Sequence, residues 1–443
     1  MQNQGIRDAR SLGTPKLLVL GLQHMFAMFG ATVLVPALTG LSVSATLLFA
    51  GLGTLFFHFV TKGKVPAFLG SSFAYLAGYA AIAPNGEAAL LPYACVGVAA
   101  SGLLYLILAA LVRGFGANRV MRFFPPVVTG PIIICIGMTL ANSAINNCTG
   151  SWDIALVAIL TVVIFNIWGK GMLRIIPILL GVLVSYVYAA VTGRVDFSGV
   201  ASAAWIGLPV KMENTVFSLI GNCDANLLVT AIIAIMPIAF ATMIEHIGDI
   251  CAISSTVGAN FIADPGLHRT LLGDGLATSI ASLFGAPANT TYDENTGVLA
   301  LTRVYDPLVI RLAAVYAIIA SFCPKFAALV SAMPTGTIGG VSLILYGMIS
   351  AIGVRNLVEN RVDLAKSRNV IVVSLIISLA LGITFSTAGA ITFHVGEFTL
   401  NFSGLAVAAI VGIVVNAILP GKDYNFQNDY EYGKTTEDHG QML

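Results

Sequence analysis

Charge is what this sequence has least of. Asp, Glu, Lys and Arg together supply 10% of its 443 residues, against roughly 25% in an ordinary globular protein. So few charges cannot coat a water-facing surface on a chain that is 57% hydrophobic, with a mean hydropathy of +0.90. A set of soluble domains is excluded, and lipid must be the main solvent. The formal net charge of +1 leaves no polyelectrolyte footprint, so nucleic-acid binding, which rests on Lys and Arg neutralising phosphates, has no support. Six cysteines are too few for a disulfide scaffold in a chain this long. Cys95, Cys135, Cys251 and Cys323 lie in or beside apolar runs, where cysteine behaves as a small buried hydrophobe. Cys148 and Cys223 fall in loops assigned to the outer side, which leaves a bridge between them open. No CxxC or His/Cys spacing suits a metal. HExxH, GxSxG and Walker sequences are also missing, which argues against an enzyme and against an ATP-driven pump.

What is present is a succession of apolar runs. A bilayer core of ~30 Å takes about 20 mostly apolar residues per helix, and fourteen segments meet that ruler, among them 17–38, 43–60, 227–253, 309–331 and 336–353. The first follows Arg7, Arg10 and Lys16 without a cleavage site and reads as a retained span. The third (65–82) and tenth (286–302) are poor helices, rich in Pro, Gly and hydroxyls. With fourteen spans and the N-terminus inside, only Arg194, Lys211 and Lys325 of the 22 Lys and Arg residues fall outside, as the positive-inside rule requires. The fold class expected is therefore an all-α polytopic membrane protein with 14 transmembrane spans in 7+7 inverted repeats, spans 3 and 10 being broken by short extended segments. Both termini are expected in the cytoplasm, and the polar tail beyond Gly421 is expected to fray there. The polar marks repeat between halves: His24 and Glu245 are separated by nearly the same distance as Phe73 and Tyr292. Paired interruptions of this kind are the best sequence pointer to a transporter's binding site.

Glu245 and Asp249 share one face of span 8. An acid at mid-membrane costs ~2.5–3.5 kcal/mol on insertion scales, so it normally faces an aqueous cavity or a partner. The pair either caps a helix end or works as functional acids. With no Lys or Arg in span 8 or its flanks before Arg269, the second reading is preferred. Asp293 and Glu294 add two acids at the break of span 10. Thr290, Thr291 and Tyr292 favour extended backbone there, and Asn295 and Gly297 suit the start of a new helix. Extended backbone at membrane depth must line a cavity or meet other backbone. The segment Ser71-Ser72-Phe73 would be its partner across a pseudo-two-fold. His24, beside Gln23 in span 1, is either a satisfied core histidine or part of the site. Asp274, at the opening of span 9, is either a helix-terminal acid or a functional one. His246 lies about 100° around the helix from Glu245, and no further ligands for a metal are found. His58, His268 and His394 look like span-edge or loop residues.

The run Glu294-Asn-Thr-Gly-Val-Leu-Ala-Leu-Thr-Arg303 resembles the signature of the nucleobase–ascorbate transporter family, also called nucleobase:cation symporter-2. Gln23-His24 is similar to its first-helix motif, Glu245 to its span-8 acid and Asp274 to its span-9 acid. The resemblance runs from about Leu17 to Pro420 and implies a core domain of 17–111 with 227–331, a gate domain of 112–226 with 332–420, and a homodimer. The segments 1–16 and 421–443 would be cytoplasmic. Glu294 together with Gly70-Ser-Ser-Phe73-Ala looks like the uracil permeases of that family. By that resemblance Glu245 and Glu294 would accept the ring N–H groups, the backbone N–H groups of Phe73 and Asp293 would meet the carbonyl oxygens, and Tyr346 would be a gate-facing aromatic. His24, Asp249, Asp274, Tyr292 and Asn295 would support or couple. Two residues depart from the uracil members. Asp249 stands where His is common and resembles the purine-transporting branch, and Asp293 stands where Gly is usual, which leaves the choice of base open.

Uracil is neutral near pH 7, so its accumulation needs a charge carried alongside, and each elementary charge crossing 100 mV supplies ~2.3 kcal/mol. Glu245 is the first candidate for the coupled proton; sodium coupling stays open. The expected function is import of uracil by proton symport through alternating access, with a xanthine or other purine-base symporter as the alternative and an ion channel as the rival class. The expected location is a bacterial inner or cell membrane, with no cofactor and no metal.

Overall fold

The computed structural model describes residues 5–221, 223–395 and 398–421. From residue 422 onward the expected cytoplasmic tail lies outside the described residues, as do the first four residues of the 1–16 segment.

Helix α1 (Thr14–Thr39) starts on Pro15 and ends where Gly40 turns left-handed, its amide returning to the Pro36 carbonyl at 2.9 Å. Helix α2 (Val43–Val60) is capped by the Ser42 hydroxyl, which accepts from the Ala45 amide. The chain then runs extended into strand β1 (Leu69–Ser71) and a short helix, Leu76–Ile82. Long helices follow at Leu91–Phe115 and Pro126–Cys148, with apolar helices at Trp152–Trp168 and Pro177–Val191. Ala225–Ile235 and Ala239–Val257 continue one another across a tight turn at Pro237. Leu267–Leu283 leads to strand β2 (Asn289–Thr291) and the helix Asp293–Thr302. The remainder is helical at Pro307–Ser321, Pro324–Ser331, Thr335–Glu359, Ser367–Thr384 and Gly404–Ile418, the last two joined by the hairpin β3 (Ala390–Val395) and β4 (Phe398–Ser403).

Among the described residues seven helices are long and apolar enough to cross a bilayer, or eight if one bent pair counts as a span. Their outer faces carry exposed Phe59, Leu160, Ile167 and Val191, which lipid solvates without penalty. Inside, small residues let backbones approach, as membrane helix packing requires. Helix 91–115 lies so close to helix 267–283 that a Cβ on Gly102 would stand 2.4 Å from the Gly275 carbonyl oxygen. A Cβ on Gly137 would stand 2.2 Å from the Tyr346 carbonyl oxygen on helix 335–359. The molecule is thus a mostly helical polytopic membrane protein.

Several expectations need correction. The segment 309–331 is not one straight span: it bends by 88° between Ser321 and Pro324, because Pro324 disfavours helical backbone at Cys323 and starts a new helix. Cys251 is exposed, not buried. Cys148 is buried and Cys223 exposed, and both are free thiols, so no bridge joins them. Asp274 does not open its helix; it lies about two turns inside a helix that begins at Leu267. Of the two readings for His58, the span edge holds: it lies buried in the last turn of α2, its Nε2 2.9 Å from the Ala67 carbonyl oxygen.

Candidate substrate site at the crossing strands

The site begins with two segments that cannot be helical. Pro66 and Gly70 break the first, and Ala286-Pro287-Ala288 the second. They meet as antiparallel strands, Leu69 opposite Thr291, Gly70 opposite Thr290 and Ser71 opposite Asn289. The ladder extends one bond at each end, from the Ser72 amide to the Ala288 carbonyl (2.8 Å) and from the Tyr292 amide to the Phe68 carbonyl (3.1 Å). Neighbouring helices supply the other partners. The Leu69 amide donates to the Thr54 hydroxyl (2.8 Å), the Thr278 hydroxyl to the Asn289 carbonyl (2.7 Å), and Asn289 Nδ2 to the Phe49 carbonyl (2.9 Å). Buried backbone outside a helix is thereby satisfied, as its depth demands.

Tyr292 locks the crossing. Its hydroxyl donates to the Ser71 carbonyl at 2.8 Å, and its ring lies over Gly70, where a Cβ would come within 2.4 Å of the ring. The Ser71 hydroxyl in turn donates to the Thr32 carbonyl of α1 (2.9 Å).

The expected acids gather around this crossing. The Asp249 carboxylate accepts from the Thr291 hydroxyl at 2.5 Å, which ties helix 239–257 to β2. Asp293 follows β2 in the first turn of helix 293–302 and meets the Asp249 side chain. Glu294 is next to it, where a helix N-terminus favours negative charge. Glu245, one turn before Asp249, lies within electrostatic reach of both Asp293 and Glu294, and its Oε2 is buried with no hydrogen-bond partner among the described residues. The Ser72 and Thr290 hydroxyls are buried and unpartnered in the same way. Two residues beyond Ser71, the Phe73 ring meets Tyr346 edge-on, the centroids 6.1 Å apart. Asn295 reaches across to α1, its Nδ2 3.0 Å from the His24 carbonyl and 3.2 Å from His24 Nδ1. All ten expected residues belong to this crossing or to the helices around it, and Asp274, on helix 267–283, lies within electrostatic reach of Glu245.

Sequence reasoning set aside the histidine next to Glu245. His246 and Asp274 are both fully buried, with Nδ1 3.2 Å from Oδ2, close enough for an ion pair although the angle is not that of an aligned hydrogen bond. Phe57 and Tyr105 present their rings to the imidazole edge-on. The available signal was the helical position itself: a residue 100° from Glu245 looks at a different neighbour, which here is helix 267–283. Among the described residues no group of three or more His, Cys, Asp or Glu side chains is arranged to hold a metal.

Crossing broken segments with convergent acids inside a lipid-facing helical bundle define a membrane transporter. The transmembrane domain of a cyanobacterial bicarbonate transporter, BicA, shares the fold with a TM-score of 0.59 at 13% identity, covering 94% of this chain and 100% of that one. The profile of the Permease family matches residues 15–389. This chain belongs to that family, the nucleobase–ascorbate transporters, and is a permease, not an enzyme. It is 42% identical to the uracil permease of Bacillus caldolyticus over 437 residues, 96% of each chain. It is 40% identical to the uracil permease of Bacillus subtilis, over 99% of this chain and 98% of that one.

Proposed function

We propose that this chain imports uracil together with a proton across the cytoplasmic membrane. The observation that carries the reading is the β1–β2 crossing, around which Glu245, Asp249, Asp293 and Glu294 gather, with one buried Glu245 oxygen left without a partner among the described residues. Relatives named uracil permeases, aligned along nearly the whole chain, support the choice of base. In this reading Glu245 and Glu294 accept the two ring N–H groups. The backbone amides of Phe73 and Asp293 meet the carbonyl oxygens, and the Phe73 and Tyr346 rings border the heterocycle. Glu245 exchanges the proton, because burial disfavours a carboxylate's charge and makes its protonation sensitive to a bound ligand. His24, Asn295, Tyr292, Asp249 and Asp274 hold the frame. Fourteen spans in two inverted halves form a core (17–111 with 227–331) that moves against a gate (112–226 with 332–420). Two copies assemble in the membrane with all termini cytoplasmic.

The test is uptake of radiolabelled uracil into proteoliposomes with an imposed proton gradient, alongside counterflow. A carrier shows saturable uptake and accelerated exchange; a channel does not. Glu245→Ala should abolish gradient-driven accumulation, and Glu294→Gln should weaken uracil binding and relax selectivity, since a site built to pair N–H groups rejects bases that leave its acceptors unpaired. Unchanged uptake in both variants would remove the direct-contact roles. One residue, Asp249, favours a purine base instead, and on that reading xanthine, not uracil, drives counterflow.

A further inference from the structure

We propose that an anionic phospholipid of the bilayer binds in a groove beside helix 239–257, its tail along Leu108, Phe240 and Met243 and its headgroup on Arg119 and Arg122. The groove encloses about 570 Å³, within the ~300–1,000 Å³ range of ligand pockets. Its walls come from three separated helices: Leu104 and Leu108 of 91–115, Phe240 and Met243 of 239–257, and Ile413 of 404–418. It opens between exposed apolar side chains, Ile107, Leu111, Phe115 and Phe123, on a surface that only hydrocarbon can cover without penalty. A free water-soluble ligand would have no reason to enter there.

The other end of the groove has opposite chemistry. Where helix 91–115 finishes, Arg119 and Arg122 line both the groove and an adjoining polar mouth formed by Gly114, Gly116 and Asn118. No acidic side chain lines either space. Neither arginine makes an ion pair among the described residues. Two unpaired guanidiniums at the rim of an apolar slot match one molecule shape in particular, a hydrocarbon chain ending in a phosphate. Guanidinium binds phosphate in a two-pronged geometry, and basic pockets between transmembrane helices take anionic headgroups by this means.

The position gives the lipid a consequence. Phe240 and Met243 stand on the helix that carries Glu245 and Asp249, so a chain filling the groove supports that helix from behind. Occupancy would stabilise the folded protein without touching the candidate substrate site, and it does not depend on which base the protein carries.

The experiment uses the full chain purified in a neutral detergent, with phosphatidylglycerol and phosphatidylcholine of identical acyl chains as probes. Native mass spectrometry reads lipid retention and oligomeric state, and thermal denaturation reads stabilisation, since a ligand of the folded state raises the melting temperature. Phosphatidylglycerol should be retained and should raise the melting temperature more than phosphatidylcholine. Inorganic phosphate should do neither. R119Q/R122Q should lose roughly thirtyfold in phosphatidylglycerol retention, as expected for two charges near a membrane surface. Leu111→Trp, which narrows the groove and leaves both arginines, should reduce retention as well. Equal effects of the two lipids, or full phosphatidylglycerol retention in both variants, would overturn the proposal. So would phosphate acting alone, or a dimer that R119Q/R122Q dissociates without change in lipid, which would make the groove a contact between copies. Because the comparison of lipids on the unaltered protein needs no variant, a variant that failed to fold would not shield the proposal.

Discussion

The Thr291 hydroxyl donates to the Asp249 carboxylate at 2.5 Å, joining a strand of the crossing to the helix that carries Glu245. A typical hydrogen bond contributes about 0.5–1.5 kcal/mol net, and a buried acceptor left without its donor costs about 1–3 kcal/mol. Thr291→Val keeps the shape and removes the donor. Uracil affinity, read from the ligand-induced rise in melting temperature, should fall roughly tenfold or more by that energy. Asp249→Asn retains an oxygen acceptor and should lose less than Asp249→Ala. Equal losses in the two Asp249 variants would show that the tie to Thr291 does not position the site.

Gly70 faces Tyr292 across the crossing, and an added Cβ would lie 2.4 Å from the ring. Overpacking of a closed interior costs about 1–3 kcal/mol. Gly70→Ala should therefore lower the melting temperature and uracil uptake together, because displacing the ring breaks the bond from its hydroxyl to the Ser71 carbonyl. Gly382→Ala, where a Cβ meets nothing within 4 Å, should leave both unchanged or slightly improved. A Gly70→Ala variant as stable and active as the parent would mean that the crossing tolerates a looser Tyr292.

How much of this was legible in advance follows the range of each signal. Pro, Gly and hydroxyl clusters are local, so both broken segments were visible, along with the extended backbone around Thr290 and Thr291. The strand at Leu69–Ser71 lies two residues earlier than Ser71-Ser72-Phe73, because Tyr292 pairs with Phe68 and pulls the register back. The 88° bend before Pro324 was also local, written in Phe322-Cys323-Pro324, but average hydropathy across 309–331 concealed it. Likewise the hairpin β3–β4 had a signal in the β-branched run from Ala390 to Val395, which a search for apolar helices passes over. The helical position of His246 showed that it faces a different neighbour from Glu245, but its pairing with Asp274, like that of His24 with Asn295, could not be read, since pairs on different helices are set by packing and leave no spacing in the sequence.

Lys64 forms an ion pair with Asp264 between two loops, and its ammonium holds the Asp264 carboxyl below the ordinary value of 3.8. A depressed carboxylate stabilises the folded chain above its unfolded pKa, and that contribution is lost only as pH falls through the lower folded value. From roughly pH 5 to 8 the pair is therefore constant, and being exposed it contributes little. Lys64→Ala should leave the pH profile of uptake in that window unchanged. A profile that shifted would place proton sensing at this loop pair instead of Glu245.

His246 and Asp274 give the sharpest test of what stands behind the acids. Their polar atoms are 3.2 Å apart and fully buried, so removing one partner leaves a buried polar group without compensation, a loss of about 1–3 kcal/mol. Asp274→Ala should therefore lower the melting temperature steeply, whereas Asp274→Asn, which keeps the volume and one acceptor, should lower it less. His246 adjoins Glu245 on helix 239–257, so a change at the pair should tilt Glu245 and reduce uptake even in the folded fraction. A double-mutant cycle with His246→Gln isolates the interaction. If Asp274→Asn and His246→Gln lower stability by amounts that simply add, the two residues do not act as a pair. If the double variant is better than that sum, the buried contact orients the helix on which uracil and proton are expected to meet.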